Sequence, residues 1–374
     1  GLLSLQFAFI RLTFETLKGA ATEKRSMKTR LITELTEEEL AHWASEFTVS
    51  EPVHFFQGPL FARLVVESRV YRHGLVVTEQ DDGRWAGVLS FGLLHEHRHP
   101  LQVLTTRAVI YGGPLFSSHI PSDRQAEVTL ALLTCLVREL KNRCLYIQFR
   151  NFYDTDKLSA VFRQQGFYFS DRLNLLKPLD ERGRALASLS ATRRRQLRLS
   201  ASNGLMVRPA KGVEEVDRFY DLLRVLYREK VRKPLPSREL FRRFFALSEH
   251  SSCGKILMAE YRGQLVGGIL APATPGGSIF EWYVCGLDAG LAAQRVYPSV
   301  SLTWAAMELG MEMGCHTFDF MGMGLPGKPY GVREFKARFG GQWVNYGRWT
   351  RINHPMQYRL IELAYNVFRM LKRV

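Results

Sequence analysis

The stretch from His316 to Gly341, HTFDFMGMGLPGKPYGVREFKARFGG, decides the fold of this chain. Phe318 and Phe320 alternate with other residues, which indicates that the stretch begins as a strand. Glycine and proline recur at positions 322, 324, 326, 327, 329 and 331, which predicts that a loop follows. Glycine permits positive φ, whereas proline fixes φ at a negative value. A short basic helix comes next and ends at Gly340-Gly341. A loop of this composition before a helix N-terminus suits an anionic group.

Three of these glycines, Gly322, Gly324 and Gly327, also match the GxGxxG spacing of dinucleotide-binding proteins. That motif opens a βαβ unit and is followed by an acidic residue about 20 residues further on. Here the motif lies near the C-terminus, and residues 339–361 contain no Asp or Glu. Pro326 and Pro329 would also prevent a helix from starting inside the motif. The sequence therefore excludes a dinucleotide site at this loop.

The same stretch resembles the signature of the FemABX family. The matching residues are Asp319-Phe320, the glycine loop, Tyr330-Gly331-Val332 and the run EFKARFGG at 334–341, and the resemblance extends loosely over residues 27–349. Members of this family transfer aminoacyl groups from charged tRNA to peptidoglycan precursors and need no metal. Their fold consists of two copies of an acetyltransferase-like (GNAT) α/β domain. The resemblance thus implies an α/β (α+β) protein with two tandem GNAT-like domains, whose mixed sheets are flanked by helices.

A repeated order of predicted elements supports two domains independently of the family. The first half reads as hairpin, strand, helix and strand at 75–93, 107–111, 122–141 and 145–149, and the second half repeats this order at 256–271, 280–284, 298–313 and 317–321. We place the boundary near Pro178, which gives a first domain at 27–178 and a second domain at 179–374. Residues 1–26 are interpreted as an uncertain N-terminal extension, with Met27 as the expected natural start. Residues 355–373 predict a basic amphipathic helix, and in the family the C-terminal segment can pack on the first domain.

The composition is that of a globular protein long enough for two cores, with 374 residues, 46% hydrophobic and 23% charged. A net charge of +15 favours anionic partners such as tRNA, diphosphate-linked precursors or an anionic membrane surface. The five cysteines show no metal or disulfide spacing, which predicts buried free thiols in a reducing cytosol. No apolar run reaches the ~20 residues of a membrane span. We therefore expect a cytoplasmic protein, located at the inner face of the membrane if it docks there.

Lys336 is the candidate catalytic residue. A lysine on a helix after a glycine loop can hold a phosphate or stabilise an oxyanion as a fixed charge, and the Phe335 ring could support it by a cation–π contact. The resemblance implies the same role, because the lysine of the family's Phe-Lys pair lies at the reaction centre and matches Lys336. The alternative interpretation is a solvated helix lysine.

Besides Phe335, three residues are candidates for substrate binding. Tyr283 matches a family tyrosine that lines the acceptor site, and the alternative is a tyrosine satisfied in the core. Tyr330 either contacts substrate or anchors the loop. Arg238 resembles an arginine with which family members bind a nucleotide-linked muropeptide, but the tyrosine expected four residues later is Arg242 here. That departure puts the identity of the acceptor in question, and the alternative for Arg238 is a solvated side chain.

Two further stretches carry clustered polar residues. The run 192–198, TRRRQLR, predicts a basic helix face formed by Arg193, Arg194, Arg195 and Arg198. We take Arg195 and Arg198 as candidates for binding a tRNA backbone or a diphosphate, and a solvated face is the alternative. The run HEHRH at 95–99 could chelate a metal, but no second cluster completes a site, so a polar loop is the preferred interpretation.

The sequence lacks the usual cofactor loop of an acetyltransferase. Such enzymes hold the CoA pyrophosphate in a Gln/Arg-x-x-Gly-x-Gly/Ala turn before their long helix. The corresponding positions 112–116 and 294–298 read GGPLF and QRVYP. We therefore expect no CoA site and no other cofactor. No Ser-His-Asp order or GxSxG elbow indicates a hydrolase.

The resemblance and the motifs together predict an enzyme that transfers an aminoacyl group. The expected donor is aminoacyl-tRNA, and the expected acceptor is an amine of a nucleotide- or lipid-linked peptidoglycan precursor. One alternative is an N-acyltransferase of the same fold that uses another donor and acts on a surface glycan or a lipid-linked sugar. The non-enzymatic alternative is a basic scaffold peripheral to the membrane, which would use the terminal helix and the arginine run.

Overall fold

A computed structural model describes residues 27–47, 54–94, 106–231, 235–327 and 331–371. The strands are β1 Met27–Ile32, β2 Arg72–Gln80, β3 Trp85–Leu94, β4 Arg107–Tyr111, β5 Leu115–Phe116, β6 Tyr146–Arg150, β7 Tyr168–Ser170, β8 Asn174–Pro178, β9 Leu205–Pro209, β10 Gly254–Tyr261, β11 Gln264–Pro272, β12 Ser278–Phe280, β13 Tyr283–Gly286, β14 Thr317–Asp319, β15 Gln342–Val344 and β16 Arg348–Ile352. Apart from short 3₁₀ and π turns, the helices are α1 Glu37–Phe47, α2 Pro59–Ser68, α3 Gln125–Leu140, α4 Ser159–Gln164, α5 Arg182–Ala187, α6 Ala191–Ser202, α7 Val213–Leu226, α8 Arg238–His250, α9 Asp288–Leu291, α10 Pro298–Glu312, α11 Gly331–Ala337 and α12 Pro355–Leu371. The predicted α/β class is confirmed.

The first half is built on an eight-stranded sheet in the order β1-β2-β3-β4-β6-β16-β7, with β5 paired to β3. Its predicted hairpin is β2–β3, and Gly83 in the connecting turn has a φ of 81°, a value that favours glycine. The neighbours β4 and β6 are parallel, with Tyr111 opposite Arg150, and α3 makes the crossover between them. The other pairs of this sheet are antiparallel, so the sheet is mixed, as predicted.

The second half contains two four-stranded sheets, β13-β11-β10-β9 and β12-β14-β8-β15. The parallel partner of β12 is β14, whereas β13 pairs with β11. Glu281 and Trp282 lie between β12 and β13, and their backbone N–H groups donate hydrogen bonds to different sheets. Glu281 N donates to Asp319 O at 2.9 Å, and Trp282 N donates to Leu270 O at 3.2 Å. The two sheets therefore separate at Glu281.

Each half contributes one strand to the sheets of the other half. The strand β8 pairs with β14 and β15, although it precedes the predicted boundary at Pro178. The strand β16, near the C-terminus, pairs with β6 and β7. Helix α12 then begins beside the first sheet, where the rings of Tyr358 and Tyr146 lie 5.9 Å apart. The domain division at residue 178 stays a prediction, as does the packing of the rest of the terminal helix.

Local sequence signals account for the first helix. Glu39 N donates to Thr36 Oγ1 at 3.2 Å, and Thr36 N donates to Glu39 Oε2 at 3.1 Å. This reciprocal pair is a capping box, and it satisfies backbone donors at the start of α1. The helix then buries Trp43 completely and Phe47 almost completely. The cap and the buried apolar face together account for the position of α1.

An aromatic cluster joins the two halves. The ring of Phe56 lies 5.2 Å from that of Tyr111 in its own half, and 5.1 Å and 5.0 Å from those of Phe280 and Trp282 in the second half. Phe56 is 1% exposed. Large buried rings in edge-to-face contact supply both apolar area and a defined geometry. The cluster therefore holds the two halves together directly beside Glu281.

All five cysteines are buried and unpaired, which confirms that they are free thiols. Burial raises the pKa of Cys144 and Cys285 to about 12, so neither thiol is a reactive nucleophile at neutral pH. Within the described residues, no helix combines the length and the apolar character needed to cross a membrane.

Candidate active site

The candidate site lies where β12 and β14, the parallel pair of the second half, end side by side. Glu281 directly follows β12, and Phe320 directly follows β14. In open α/β sheets, the crevice beyond the carboxyl ends of parallel strands is the usual place for a ligand. The glycine-rich loop begins at this point, so the fold places the sequence's most distinctive stretch at the expected edge of the sheet.

The start of the loop is held in an unusual conformation by a buried carboxylate and an amide. Asp319 Oδ1 accepts hydrogen bonds from Met321 N at 2.6 Å and from Asn174 Nδ2 at 2.8 Å. Asn174 Oδ1 accepts a hydrogen bond from Gly322 N at 2.8 Å. These contacts support a positive φ of 55° at Met321, which is rare for a residue with a side chain, and of 105° at Gly322. Burial is the main cause that raises the pKa of Asp319.

Lys336 extends from α11 to the same point and is buried. Its Nζ lies 3.2 Å from Glu281 Oε1, donates to Phe320 O, and lies 3.5 Å from Gly322 O. The side chains of Lys336 and Glu281 are 9% and 2% exposed. Thr303 Oγ1, on α10, donates to Glu281 Oε2 at 3.0 Å. This geometry contradicts the alternative of a solvated lysine and fixes a cation beneath the loop, whereas the catalytic role of Lys336 stays a prediction.

Phe335 does not contact Lys336 in the way that the sequence suggested. The ring that faces Lys336 Nζ is Phe320, at 5.8 Å, and the cation over the Phe335 ring is Arg193, at 4.2 Å. Arg193 NH2 also donates to Phe335 O at 3.0 Å. Burial is the main cause that lowers the pKa of Arg193 to about 10. The expected Phe335–Lys336 pair is therefore wrong, because adjacent residues on a helix point in different directions, and the substrate-binding role of Phe335 stays a prediction.

Tyr283 lies in the aromatic cluster at the start of β13. Its ring is 5.1 Å from those of Phe241 and Trp282 and 6.3 Å from that of Tyr227. Burial raises the pKa of Tyr283 well above its usual value, so the phenol stays protonated. The side chain is half-buried and lies two residues from Glu281, and a role in lining the acceptor site stays a prediction.

Arg238 joins two helices. Its NH2 lies 2.8 Å from Asp221 Oδ1, its NH1 lies 3.6 Å from Asp217 Oδ1, and its guanidinium lies over the ring of Tyr220 at 4.9 Å. Arg242, which takes the place of the expected tyrosine, also binds Asp217, at 2.6 Å. The structure thus contradicts the alternative of a purely solvated Arg238, and substrate binding by this residue stays a prediction. Tyr330, the remaining predicted substrate-binding residue, lies outside the described residues.

The arginine run divides into buried and exposed members, so the predicted single basic face is wrong. Ser190 Oγ caps α6 by accepting from Arg193 N at 3.3 Å. The Arg193 side chain donates to a backbone carbonyl of α11, and the Arg194 side chain bends back to two backbone carbonyls that precede α6. Arg195 and Arg198 are exposed, and neither side chain has a hydrogen bond or an ion pair within the part of the chain that the structure describes. These two side chains are free to contact an anion, as their predicted role requires.

Sequence reasoning missed the residues that hold Lys336. Glu281 had a signal, since it is the one acidic residue among apolar neighbours in FEWYV at 280–284. Thr303 and Asn174 had none, because their contacts depend on how distant elements meet. No group of His, Cys, Asp and Glu that could hold a metal exists among the described residues, and the histidines at 95–99 lie outside them.

Residues 188–337 match the family model described as "Acetyltransferase (GNAT) domain". The solved structure of FemX is similar over 90% of this chain and 100% of that chain, with 14% sequence identity and a TM-score of 0.64. The chain has the FemABX-like tandem GNAT fold. A tandem GNAT protein from the clavulanic acid biosynthesis pathway is similar over 88% of this chain and 99% of that chain, with 13% sequence identity and a TM-score of 0.53.

A further structure with this fold is the C-terminal domain of a protein from Agrobacterium fabrum named as a lysylphosphatidylglycerol synthetase. It is 13% identical, covers 88% of this chain and 97% of that chain, and has a TM-score of 0.53. Comparison with curated protein sequences gave no significant match. The prediction of two GNAT-like domains is confirmed by the likeness to a tandem GNAT protein. The match of residues 188–337 to an acetyltransferase domain supports the predicted class of acyltransferases.

Proposed function

We propose that this FemABX-like protein moves an aminoacyl group from aminoacyl-tRNA to an amine of a peptidoglycan precursor. The observation that carries this proposal is the buried Lys336 cation at the carboxyl ends of the parallel strands β12 and β14. The site combines a fixed positive charge with a strained glycine loop, and it lies at the edge of the sheet where ligands bind. The likeness to FemX adds support from the fold.

The reaction consists of an attack by the acceptor amine on the ester carbon of the donor. A C–N bond forms, the C–O bond to the tRNA ribose breaks, and the amine proton passes to the departing ribose oxygen. The carbonyl oxygen gains negative charge in the transition state, and a cation already in place stabilises that charge without reorganisation. In this proposal Lys336 is that cation, and Glu281 and Thr303 hold it in position. Catalysis then rests on positioning and charge stabilisation.

The donor requires a surface for a polyanion. Arg195 and Arg198 are exposed and without partners among the described residues, and the chain carries a net charge of +15. Each contact between an arginine and a phosphate contributes affinity that falls as the salt concentration rises. We assign these two residues to the tRNA backbone in the proposed function.

A lipid headgroup is a second candidate acceptor. The protein from Agrobacterium fabrum that shares the fold is named for a reaction on a phospholipid. In α12, Met356, Leu360 and Leu363 recur at helical spacing and are 78%, 66% and 62% exposed, so an apolar face is available for a membrane surface. A lipid-linked sugar with another acyl donor would use the same face. The non-enzymatic scaffold would not require the Lys336 site.

The test is a transfer assay with purified protein. Radiolabelled aminoacyl-tRNAs and, separately, labelled acyl-CoAs are offered with nucleotide-linked precursor, lipid-linked precursor and phosphatidylglycerol vesicles. Transfer from one tRNA to a precursor is expected, and it should be lost in Lys336→Ala but kept in Lys141→Ala, a change at an exposed lysine. Transfer to the vesicles would favour the lipid acceptor. Transfer from CoA alone, or equal transfer by both variants, would refute the proposal.

A further inference from the structure

The first half has its own parallel pair, and two arginines lie at its end. The strands β4 and β6 end at Tyr111 and Arg150, which face each other across the pair. In the repeat, β4 corresponds to β12, α3 to α10, and β6 to β14. The ends of β4 and β6 are thus the counterpart of the place where Glu281 and Phe320 begin the candidate active site. The same argument about the carboxyl ends of parallel strands applies here.

Arg348 adds a second guanidinium beside the first. It lies on β16 directly opposite Arg150 in the antiparallel register. Arg150 NH1 lies 3.2 Å from Tyr111 OH, and Arg348 NH1 lies 3.4 Å from Gln148 Oε1. Both arginines are half-buried. Opposed residues on neighbouring strands lie close together, and like charges in that arrangement are destabilising.

The two charges have no carboxylate to balance them among the described residues. The pKa of Arg348 is lowered to about 9, mainly by burial and in addition by repulsion from Arg150 and Arg172. Arg150 Nε is buried and has no hydrogen-bond partner within the described part of the chain. By contrast Arg208, which is also half-buried, lies 2.7 Å from Glu215 and 2.9 Å from Glu260.

An uncompensated pair of half-buried arginines is costly unless an anion binds there. Guanidinium groups match the oxygens of a phosphate by paired, charge-assisted hydrogen bonds. Tyr111 adds a phenol at the same edge, and its ring stacks on Phe152 at 6.2 Å. The position therefore offers charge, directional donors and an adjacent aromatic surface.

We propose that Arg150 and Arg348 bind a phosphate or diphosphate group of a ligand at the end of the first sheet. This site adjoins the aromatic cluster beside Glu281, because Tyr111 belongs to that cluster. The inference deepens the proposed function and rests on it for the source of the group, since a nucleotide- or lipid-linked precursor carries such a diphosphate. The shared chemistry fits a nucleoside diphosphate or a prenyl diphosphate.

The proposal is tested by calorimetric titration of the full chain with inorganic pyrophosphate, uridine diphosphate and farnesyl diphosphate. Arg150→Gln and Arg348→Gln should each weaken pyrophosphate binding about tenfold or more, since each removes a charge-assisted contact. Arg184→Gln, which removes a surface charge with a 72% exposed side chain, should not change it. Tighter binding of one organic diphosphate than of the other identifies the source of the phosphate.

Thermal unfolding without ligand separates a binding site from a structural one. Relief of repulsion predicts that Arg348→Gln unfolds at the same temperature as the wild type or higher, while the stabilisation by pyrophosphate is lost. A lower unfolding temperature for both variants without ligand, or pyrophosphate binding that is absent in the wild type or unchanged in the variants, would overturn the proposal. The measurement needs no acyl donor, so failure of the transfer assay does not affect it.

Discussion

Lys336 Nζ and Glu281 Oε1 lie 3.2 Å apart in a pair whose side chains are almost fully buried. The two residues come from α11 and from the junction where the second-half sheets separate, so the pair ties the glycine loop to that junction. A buried pair of charges is costly to break, because removal of one partner leaves the other without compensation. The pair therefore links the stability of the second half to the geometry of its candidate site.

The first prediction concerns this pair. Lys336→Ala should lower the free energy of unfolding by about 3–5 kcal/mol, because Glu281 is left buried and unpaired. The double variant Lys336→Met with Glu281→Gln removes both charges at similar volume and should recover most of that loss. Transfer activity should remain at least about 100-fold below wild type in both variants if Lys336 stabilises the oxyanion. Urea unfolding and the transfer assay measure the two effects, and recovery of activity in the double variant would show that Lys336 acts only in folding.

The second prediction concerns the pH dependence that Asp319 causes. Burial raises the folded-state pKa of Asp319, so the folded state binds its proton more tightly than the unfolded state. A raised pKa contributes stability at low pH that is lost as the pH rises through the folded-state value. Asp319→Asn keeps an oxygen that can accept from Met321 N and Asn174 Nδ2 but does not ionise. The free energy of unfolding of the variant relative to wild type should therefore increase as the pH rises above the usual range of aspartate.

The control for this series is Asp180→Asn, which changes an exposed carboxylate with a 57% exposed side chain. Its difference from wild type should stay small across the same pH range. A difference between Asp319→Asn and wild type that decreases with rising pH would mean that the charge of Lys336 outweighs burial at this position.

Some of these features could be predicted from the sequence, and others depend on contacts that no local pattern records. The loop and Lys336 were visible because glycine, proline and a Phe-Lys pair occur in one continuous stretch. The repeat was visible because hydrophobic periodicity reports strands and helices one at a time. The pairing of Arg348 with Arg150 was not, since it depends on β16 crossing to the sheet of the first half. The contact of Arg193 with Phe335 was not either, since it depends on how α6 and α11 meet. A single residue such as Glu281 falls between these cases: its acidic character in an apolar run was visible, but its partner was not.

The third prediction concerns the aromatic cluster between the halves. Phe56→Ala should reduce the free energy of unfolding by about 3–5 kcal/mol, because a ring that is 1% exposed leaves a cavity among Tyr111, Phe280 and Trp282. Loss of this contact should also reduce the coupling between the halves, so that one unfolding transition broadens or divides into two. Calorimetry of the variant beside Leu360→Ala, a change at a residue that is 66% exposed, provides the comparison. A single sharp transition at the wild-type temperature would show that other contacts hold the halves together.

The last prediction concerns Lys177, a lysine on β8 that is 1% exposed and donates to Ser188 Oγ. Burial lowers the pKa of Lys177 to about 8, compared with an unfolded-state value near 10.5. A lowered pKa means that the unfolded state holds the proton more tightly, so the folded state gains stability as the pH rises from about 8 toward 10.5. Lys177→Met has no such group, and its advantage over wild type should be largest at pH 7, up to about 3 kcal/mol, and should decline toward pH 10. Urea unfolding of both proteins at a series of pH values measures this difference, with Lys141→Met as the exposed control. A constant difference across that range would mean that Lys177 is charged in the folded protein and is compensated by its surroundings.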